Sequence, residues 1–373
     1  MKVQYGVTDY DPAKAYNGYT LFAGLGCRET NLIDMHGRIV HQWVMPERPG
    51  CYGKLLPNGN LLYGCRADME KRKQANAPLL SGFGGVLREV DWNNNLVWEY
   101  EDMFMHHDFC RLKNGNTMVL RYVEIPKEIA GKVRGGIAGT EDNGRMWGDE
   151  IREIAPDGKV VWSWIAHEYL NPQKDLLCPL CHRKEWTHAN TCIEMDNGDI
   201  FTCFRQTNMI FTIDKKTKEI KWEWGTGLGE LAHPHDPHPL SNGNILIFDN
   251  GFHRGGVEIN VSMILELDPQ TKKIVWQYKS EPMTEFYTGA CGNAQRLPNG
   301  NTMICSTLQS RIFEVTPTGQ TVWDYVSPFF GKIEFGNINW VFRAYRYGPD
   351  DPALKGKKFS TEKLDSWNTL FSK

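Results

Sequence analysis

The chain of 373 residues contains no long apolar run, and nothing in it approaches the ~18–20 residues that a membrane-crossing helix needs. It also has almost no net charge. Its 42 Lys and Arg against 45 Asp and Glu leave −3, so it has no electrostatic footprint for nucleic acid or for an anionic membrane surface. The opening MKVQYGVTDYDPAK has one early lysine and then polar residues, without the apolar core of a secretory signal. A cytoplasmic protein is expected on that reading, or a periplasmic one if the numbering begins at a mature end. Extended helical patterns are few. A clustered cysteine framework is missing too: the ten cysteines are spread from Cys27 to Cys305 and are expected to be reduced thiols in a cytoplasm.

What the chain does have is 36 Gly, 13 Trp and 14 Tyr, a composition of strands and tight turns. Six segments share a strand–turn–strand pattern ending in tryptophan: LIDMHGRIVHQW, REVDWNNNLVW, REIAPDGKVVW, FTIDKKTKEIKW, LELDPQTKKIVW and FEVTPTGQTVW. Their tryptophans, Trp43, Trp98, Trp162, Trp222, Trp276 and Trp323, are 55, 64, 60, 54 and 47 residues apart. Between them recurs a second hairpin with an Asn-Gly turn, as in LLPNGNLLYG, RLKNGNTMVL, EMDNGDIFTC, PLSNGNILIF and RLPNGNTMIC. We expect type I′ turns there, with both central residues at positive φ. Two hairpins per repeat and six repeats predict an all-β fold, a six-bladed β-propeller of four-stranded blades over residues 1–347.

The first repeat starts directly at Asn17-Gly18 and lacks room for a first strand. The run NINWVFRAYRY (337–347) has no partner hairpin, so it is expected to supply that strand and to close the ring by pairing the two ends. Residues 66–84, 123–149 and 165–186 read as long loops with short helices. The tail 348–373 reads as irregular, with a short helix capped by Ser360 and running to Leu370, at the surface or at a homodimer contact.

Registering the repeats on their Asn-Gly turns isolates the candidate site. Seven residues before the turn asparagine stand Cys51, His107, His235 and Gly292; in the fourth repeat His188 is nine before Asn197. Asn339 is the expected equivalent in the closing strand. A single strand histidine is ordinarily structural, but three in consecutive repeats at one end of the innermost strand would converge. The second strand returns to the same end and brings Arg66, Arg205 and Asn250. Imidazoles with a guanidinium beside them suit an anion. Trp147, Phe252, Tyr287 and Trp340 are candidates to stack on an aromatic substrate, and Arg343 to meet an anion. Arg346 is expected to pair with Asp350 or Asp351, and His36, His41 and His167 to lie at the surface. His106, His233, His238 and His253 carry weaker claims.

HD followed by LxNGN and FDNG (235–251), WTHAN (186–190) with an arginine in the next strand, and VFRAYRYGPDDPAL (341–354) resemble the arylsulfate sulfotransferase family, in repeat order over nearly the whole chain. The resemblance implies a sulfuryl transfer from a phenolic sulfate to a phenol with no nucleotide donor and no cofactor, so the expected partner is a small aromatic or sulfate-ester molecule. It makes His235 the sulfated nucleophile, with His107, His188 and Arg205 holding the sulfuryl oxygens and assisting proton transfer. Arg66, Asn250, Asn339 and Arg343 would contact substrate. Two other readings stay open. His107, His188 and His235 are also a ligand set for a divalent metal (Zn, Mn, Fe or Cu) in a lyase, hydrolase or oxygenase, or the propeller could be a non-catalytic binding module. Separately, Cys178 and Cys181 in CPLCH have the spacing of half a zinc site, with Cys192 or His182 as further ligands, or of a redox pair, or they are unmetallated thiols in a loop; with His182 they also match, formally, a c-type haem attachment sequence.

Overall fold

A computed structural model describes residues 4–82, 84–225, 229–256, 259–333 and 336–359. The expected helix from Ser360 to Leu370 lies outside them. The chain forms two compact units, one of residues 1–66, 86–101 and 278–373, the other of residues 67–85 and 102–277. Six sheets of four antiparallel strands follow one another along the chain, the arrangement of a six-bladed β-propeller, and one of them carries a fifth strand.

In the first unit, Val341–Tyr347 pairs with Tyr19–Gly24, which continues to Glu29–Ile33 and Ile39–Val44. The C-terminal strand therefore completes the N-terminal blade, with Tyr19 opposite Tyr347 and Gly24 opposite Val341. The next blade runs Pro49–Leu55, Leu61–Arg66, Gly85–Val90 and Leu96–Glu101. The last runs Asn293–Arg296, Thr302–Ser306, Arg311–Val315 and Thr321–Val326, and Gly6–Tyr10 adds its fifth strand. In the second unit the blades are Met105–Arg111 with Thr117–Glu124, Trp147–Ile154 and Val160–Ile165; Ala189–Glu194 with Ile200–Phe204, Met209–Ile213 and Ile220–Trp224; and His235–Pro239 with Ile245–Asp249, Met263–Asp268 and Lys273–Tyr278.

The two sequence signatures are blade joinery. In four of the NGN turns the last asparagine donates Nδ2 to a glutamate on the third strand: Asn60 to Glu89 at 2.7 Å, and Asn116 to Glu153, Asn244 to Glu266 and Asn301 to Glu314 at 2.6 Å each. Only the glycine of each turn has positive φ, +82° to +89°. The bonds Gly59 N to Leu56 O and Leu56 N to Asn60 O define a type I turn followed by a left-handed glycine, not the type I′ turn expected from the Asn-Gly pair. The tryptophans join neighbouring blades through indole N–H bonds to backbone carbonyls: Trp43 to Asp91, Trp162 to Lys215, Trp222 to Pro269 and Trp323 to Met35, at 2.8–3.0 Å. The last of these ties the final blade to the first.

Two further expectations are corrected. Arg346 does not pair with Asp350 or Asp351. Its side chain is fully buried, lies over Trp323 at 4.5 Å, donates to Thr20 Oγ1 and Tyr16 O, and is 3.5 Å from Glu314. It faces inward, opposite Thr20 in the ladder, where Glu314 supplies the countercharge. His41 is half-buried rather than at the surface: its ring stacks on Trp92 at 3.8 Å and Nε2 is 2.9 Å from Trp92 O. The expected short helices in the long loops are present at Met69–Gln74, Lys127–Ala130 and Ala166–Tyr169. Among the described residues no helix is long and apolar enough to cross a membrane.

Candidate functional site

The second unit collects His107, His188, His235, Arg205 and Asn250, all at one end of their blades. Three inner strands are laced side by side there. Asp108 accepts the Cys192 N–H at 2.7 Å, and Asn190 donates to Pro234 O at 2.8 Å. His107 sits in a bulge of the strand Met105–Arg111, His188 immediately precedes Ala189–Glu194, and His235 begins His235–Pro239. The rings of His107 and His188 meet edge to face with centroids 4.5 Å apart. Arg205 donates its backbone N–H to His188 O, and its guanidinium lies 5.7 Å from the Phe252 ring.

Each of the three histidines has its Nδ1 committed. His235 Nδ1 is 2.7 Å from Asn250 Oδ1, and His188 Nδ1 is 2.7 Å from Glu185 Oε2. His107 Nδ1 is 2.8 Å from His106 Nδ1. The far nitrogen of His106 is 2.9 Å from Asp149, at ion-pair distance though off the line of a good hydrogen bond. Asp149 is fully buried; burial pushes its carboxyl up, but His106, Thr187 Oγ1 and the Ala189 N–H (2.9 Å) outweigh this and hold it below its ordinary value. An amide oxygen and a carboxylate only accept, so neutral His235 and His188 carry their proton on Nδ1 and a lone pair on Nε2.

The remaining sequence candidates, Arg66, Asn339 and Arg343, belong to the first unit. Asn339 lies ahead of the closing strand instead of within it, and its side chain bridges Ser310 Oγ (2.5 Å) and Ser327 O (2.7 Å). Arg343 is buried against Tyr52, 4.8 Å from its ring. Arg66 ends its strand with its backbone N–H on Arg48 O. Trp147 is buried, with its indole on Asp142.

A second centre lies a few residues away in the same unit. Cys178, Cys181, His233 and His253 place their ligand atoms within 4.8 Å of one another. Cys192 and His182, expected as partners of the cysteine pair, are elsewhere: Cys192 is packed in the core and His182 is exposed. The strand Leu177–His182 runs parallel to Gly135–Ile137, and Cys178 N bonds Gln206 O. The loop after Ile245–Asp249 brings the fourth group. Asp249 accepts the Ala232 N–H and the Arg254 guanidinium, Asn250 turns to His235, and Gly251 crosses at φ +73° where a Cβ would fall 1.9 Å from Val261 O. Phe252 then stacks on His253 at 3.8 Å. The Cys178 thiol is drawn down, chiefly by the hydrogen bond from Cys181 and with help from His233, against burial; Cys181 is pushed up. The ten cysteines form no disulfide among the described residues.

Sequence reasoning missed Asp149 and Glu185, and gave His106, His233 and His253 only weaker claims. One signal was available in backbone terms. Thirteen described non-glycine residues have positive φ, and four are histidines: His107, His188, His233 and His253, two from each centre. Such conformations cost of order 1 kcal/mol or more and persist where surrounding contacts dictate them. Among the described residues, the group of ligand atoms close enough to share one ion is the cysteine–histidine cluster, not His107, His188 and His235.

Fold and site together define a β-propeller with a histidine centre in one half of its blades. The sequence model of the arylsulfotransferase (ASST) family matches residues 73–328, and the chain belongs to that family. No curated protein matches it. A solved protein of unknown function from Bacteroides caccae shares the fold, with TM-score 0.53 and 12% identity over 88% of this chain and 98% of that one. A streptogramin B lyase aligns at TM-score 0.46 and 12% identity over 92% and 93%, and virginiamycin B lyase from Staphylococcus aureus at 0.41 and 11% over 74% and 69%.

Proposed function

We propose that this protein moves a sulfuryl group from a phenolic sulfate ester to a phenol through a transiently sulfated His235. The observation that carries the reading is the 2.7 Å contact of His235 Nδ1 with Asn250 Oδ1, which keeps the nucleophilic lone pair on Nε2. In the first half-reaction Nε2 attacks sulfur; an N–S bond forms while the S–O(aryl) bond breaks. The departing phenolate takes a proton from His188, whose cationic form is matched by the Glu185 carboxylate. In the second half the acceptor phenol returns a proton to His188, its oxygen attacks sulfur, and the N–S bond breaks. Protons and sulfuryl groups balance, and no nucleotide is consumed. Arg205 and the protonated ring of His107 hold the sulfuryl oxygens as charge develops on them, with Asp149 supplying countercharge through His106. Membership of the arylsulfotransferase family supports the same chemistry.

The test is turnover of 4-nitrophenyl sulfate with phenol as acceptor. His235→Ala should lose at least about 10³-fold in kcat/KM, the scale on which nucleophiles fail, with the circular dichroism spectrum unchanged. Quenched wild-type protein should carry an acid-labile, base-stable label from a ³⁵S-labelled donor, absent from the variant. No turnover of any aryl sulfate by the wild type, or full activity in His235→Ala, would defeat the reading.

A further inference from the structure

We propose that Cys178, Cys181, His233 and His253 bind one zinc ion, next to the residues of the sulfuryl-transfer reading but inferred without it. The distances fit a tetrahedral ion. Cys178 Sγ is 3.5 Å and Cys181 Sγ 3.6 Å from His253 Nδ1, and Cys181 Sγ is 3.7 Å from His233 Nε2. With Zn–S of about 2.3 Å and Zn–N of about 2.0–2.1 Å, the sulfur-to-nitrogen edge of a tetrahedron is about 3.6 Å. Hydrogen bonding alone accounts poorly for the arrangement. His253 Nδ1 faces two sulfurs at nearly equal distance, and one ring nitrogen has one proton or one lone pair to offer. An ion at the centre serves all four groups at once.

The surroundings agree with that occupant. Cys178, Cys181 and His233 are buried, His233 completely. Two thiolates and two neutral imidazoles around Zn²⁺ carry no net charge, so the complex can be buried without an uncompensated ion. Soft sulfur with imidazole selects zinc over magnesium or calcium. Both histidines hold positive φ, +58° and +59°, in segments that share no ladder with the strand of the cysteines. Four protein ligands leave no open position, which is the form of a structural site. Its effect is positional: it fixes the turn that begins at Asn250, the residue that orients His235, and the segment that leads into His235.

The experiment is metal analysis of the full chain purified under reducing conditions without chelator. About one equivalent of zinc per chain is expected, with less than about a tenth of that in Cys178→Ser and Cys181→Ser, and the full equivalent kept in His107→Ala. Should the serine variants not fold, wild-type protein stripped with a strong chelator and given cobalt(II) chloride should develop the visible absorption of tetrahedral cobalt with thiolate charge transfer, lost again on adding zinc. Three results would overturn the proposal: protein that holds no metal and takes up no cobalt, zinc retained after both cysteines are replaced, or a Cys178–Cys181 disulfide in the reduced preparation.

Discussion

The two units are built with the same devices and used differently. Each holds three blades. Each clamps its NGN turns with a third-strand glutamate, Glu89 and Glu314 in one, Glu153 and Glu266 in the other. Each uses indole N–H bonds to join blades. Yet the inner-strand register that reads His107, His188 and His235 in the second unit reads Cys51 and Gly292 in the first. What recurs in both halves is what every hairpin needs: a satisfied turn and a bonded neighbour. What occurs in one half only answers to no structural requirement of the repeat. The first unit instead keeps its buried charge for joining the chain ends, in Arg346 and Glu314.

The largest effect expected of that contrast falls on the first unit. Arg346→Ala removes the guanidinium from Trp323, Thr20 and Tyr16 and strands Glu314, itself fully buried, without a countercharge. Breaking such a pair costs about 3–5 kcal/mol. The urea midpoint should fall sharply; a variant as resistant as the wild type would mean that the closing strand is not held by this residue. A smaller effect tests whether the two scaffolds are equivalent. Asn60→Ala and Asn116→Ala each remove one amide donor from a buried glutamate, at about 1–2 kcal/mol. The two should cost the same. If Asn116 costs clearly more, its turn serves the histidine unit as well as the blade.

Much of this was legible in the chain. The six tryptophans and the NGN turns announce the blade count, and the missing first strand announces its C-terminal substitute, because strand period and turn chemistry are local. The three histidines were legible because register converts spacing into place. The rest depends on distance in space. His106 gains a role only through Asp149, which is 43 residues further on, and His253 reaches Cys178 across 75 residues. Cys-x-x-Cys is a local half of a ligand set, while the other half is set by where two turns fold. His182 and Cys192 are near in sequence, but strand alternation and core packing carry them away. The turn type departs from expectation for the opposite reason. Asn-Gly favours type I′ in isolation, whereas here the last asparagine of each turn is held by Glu89, Glu153, Glu266 or Glu314 and only glycine goes left-handed.

The smallest effect concerns the titration of one ring in the first unit. His41 is lowered to about 4, first by burial and then by Lys357, with the bond to Trp92 O opposing. A histidine depressed in the fold binds fewer protons folded than unfolded in the window between its two values. Its contribution to stability is therefore complete above about pH 6.5, the ordinary imidazole value, and is lost as pH falls toward 4. His41→Phe keeps an aromatic face on Trp92 but cannot take up that proton. Carboxylates also titrate in this range, but they do so in both proteins. The difference in urea midpoint between pH 7 and pH 4.5 should therefore be smaller in His41→Phe than in the wild type, by an amount worth under about 1 kcal/mol for a ring that is partly exposed. Equal differences would show that His41 is protonated without penalty in the fold.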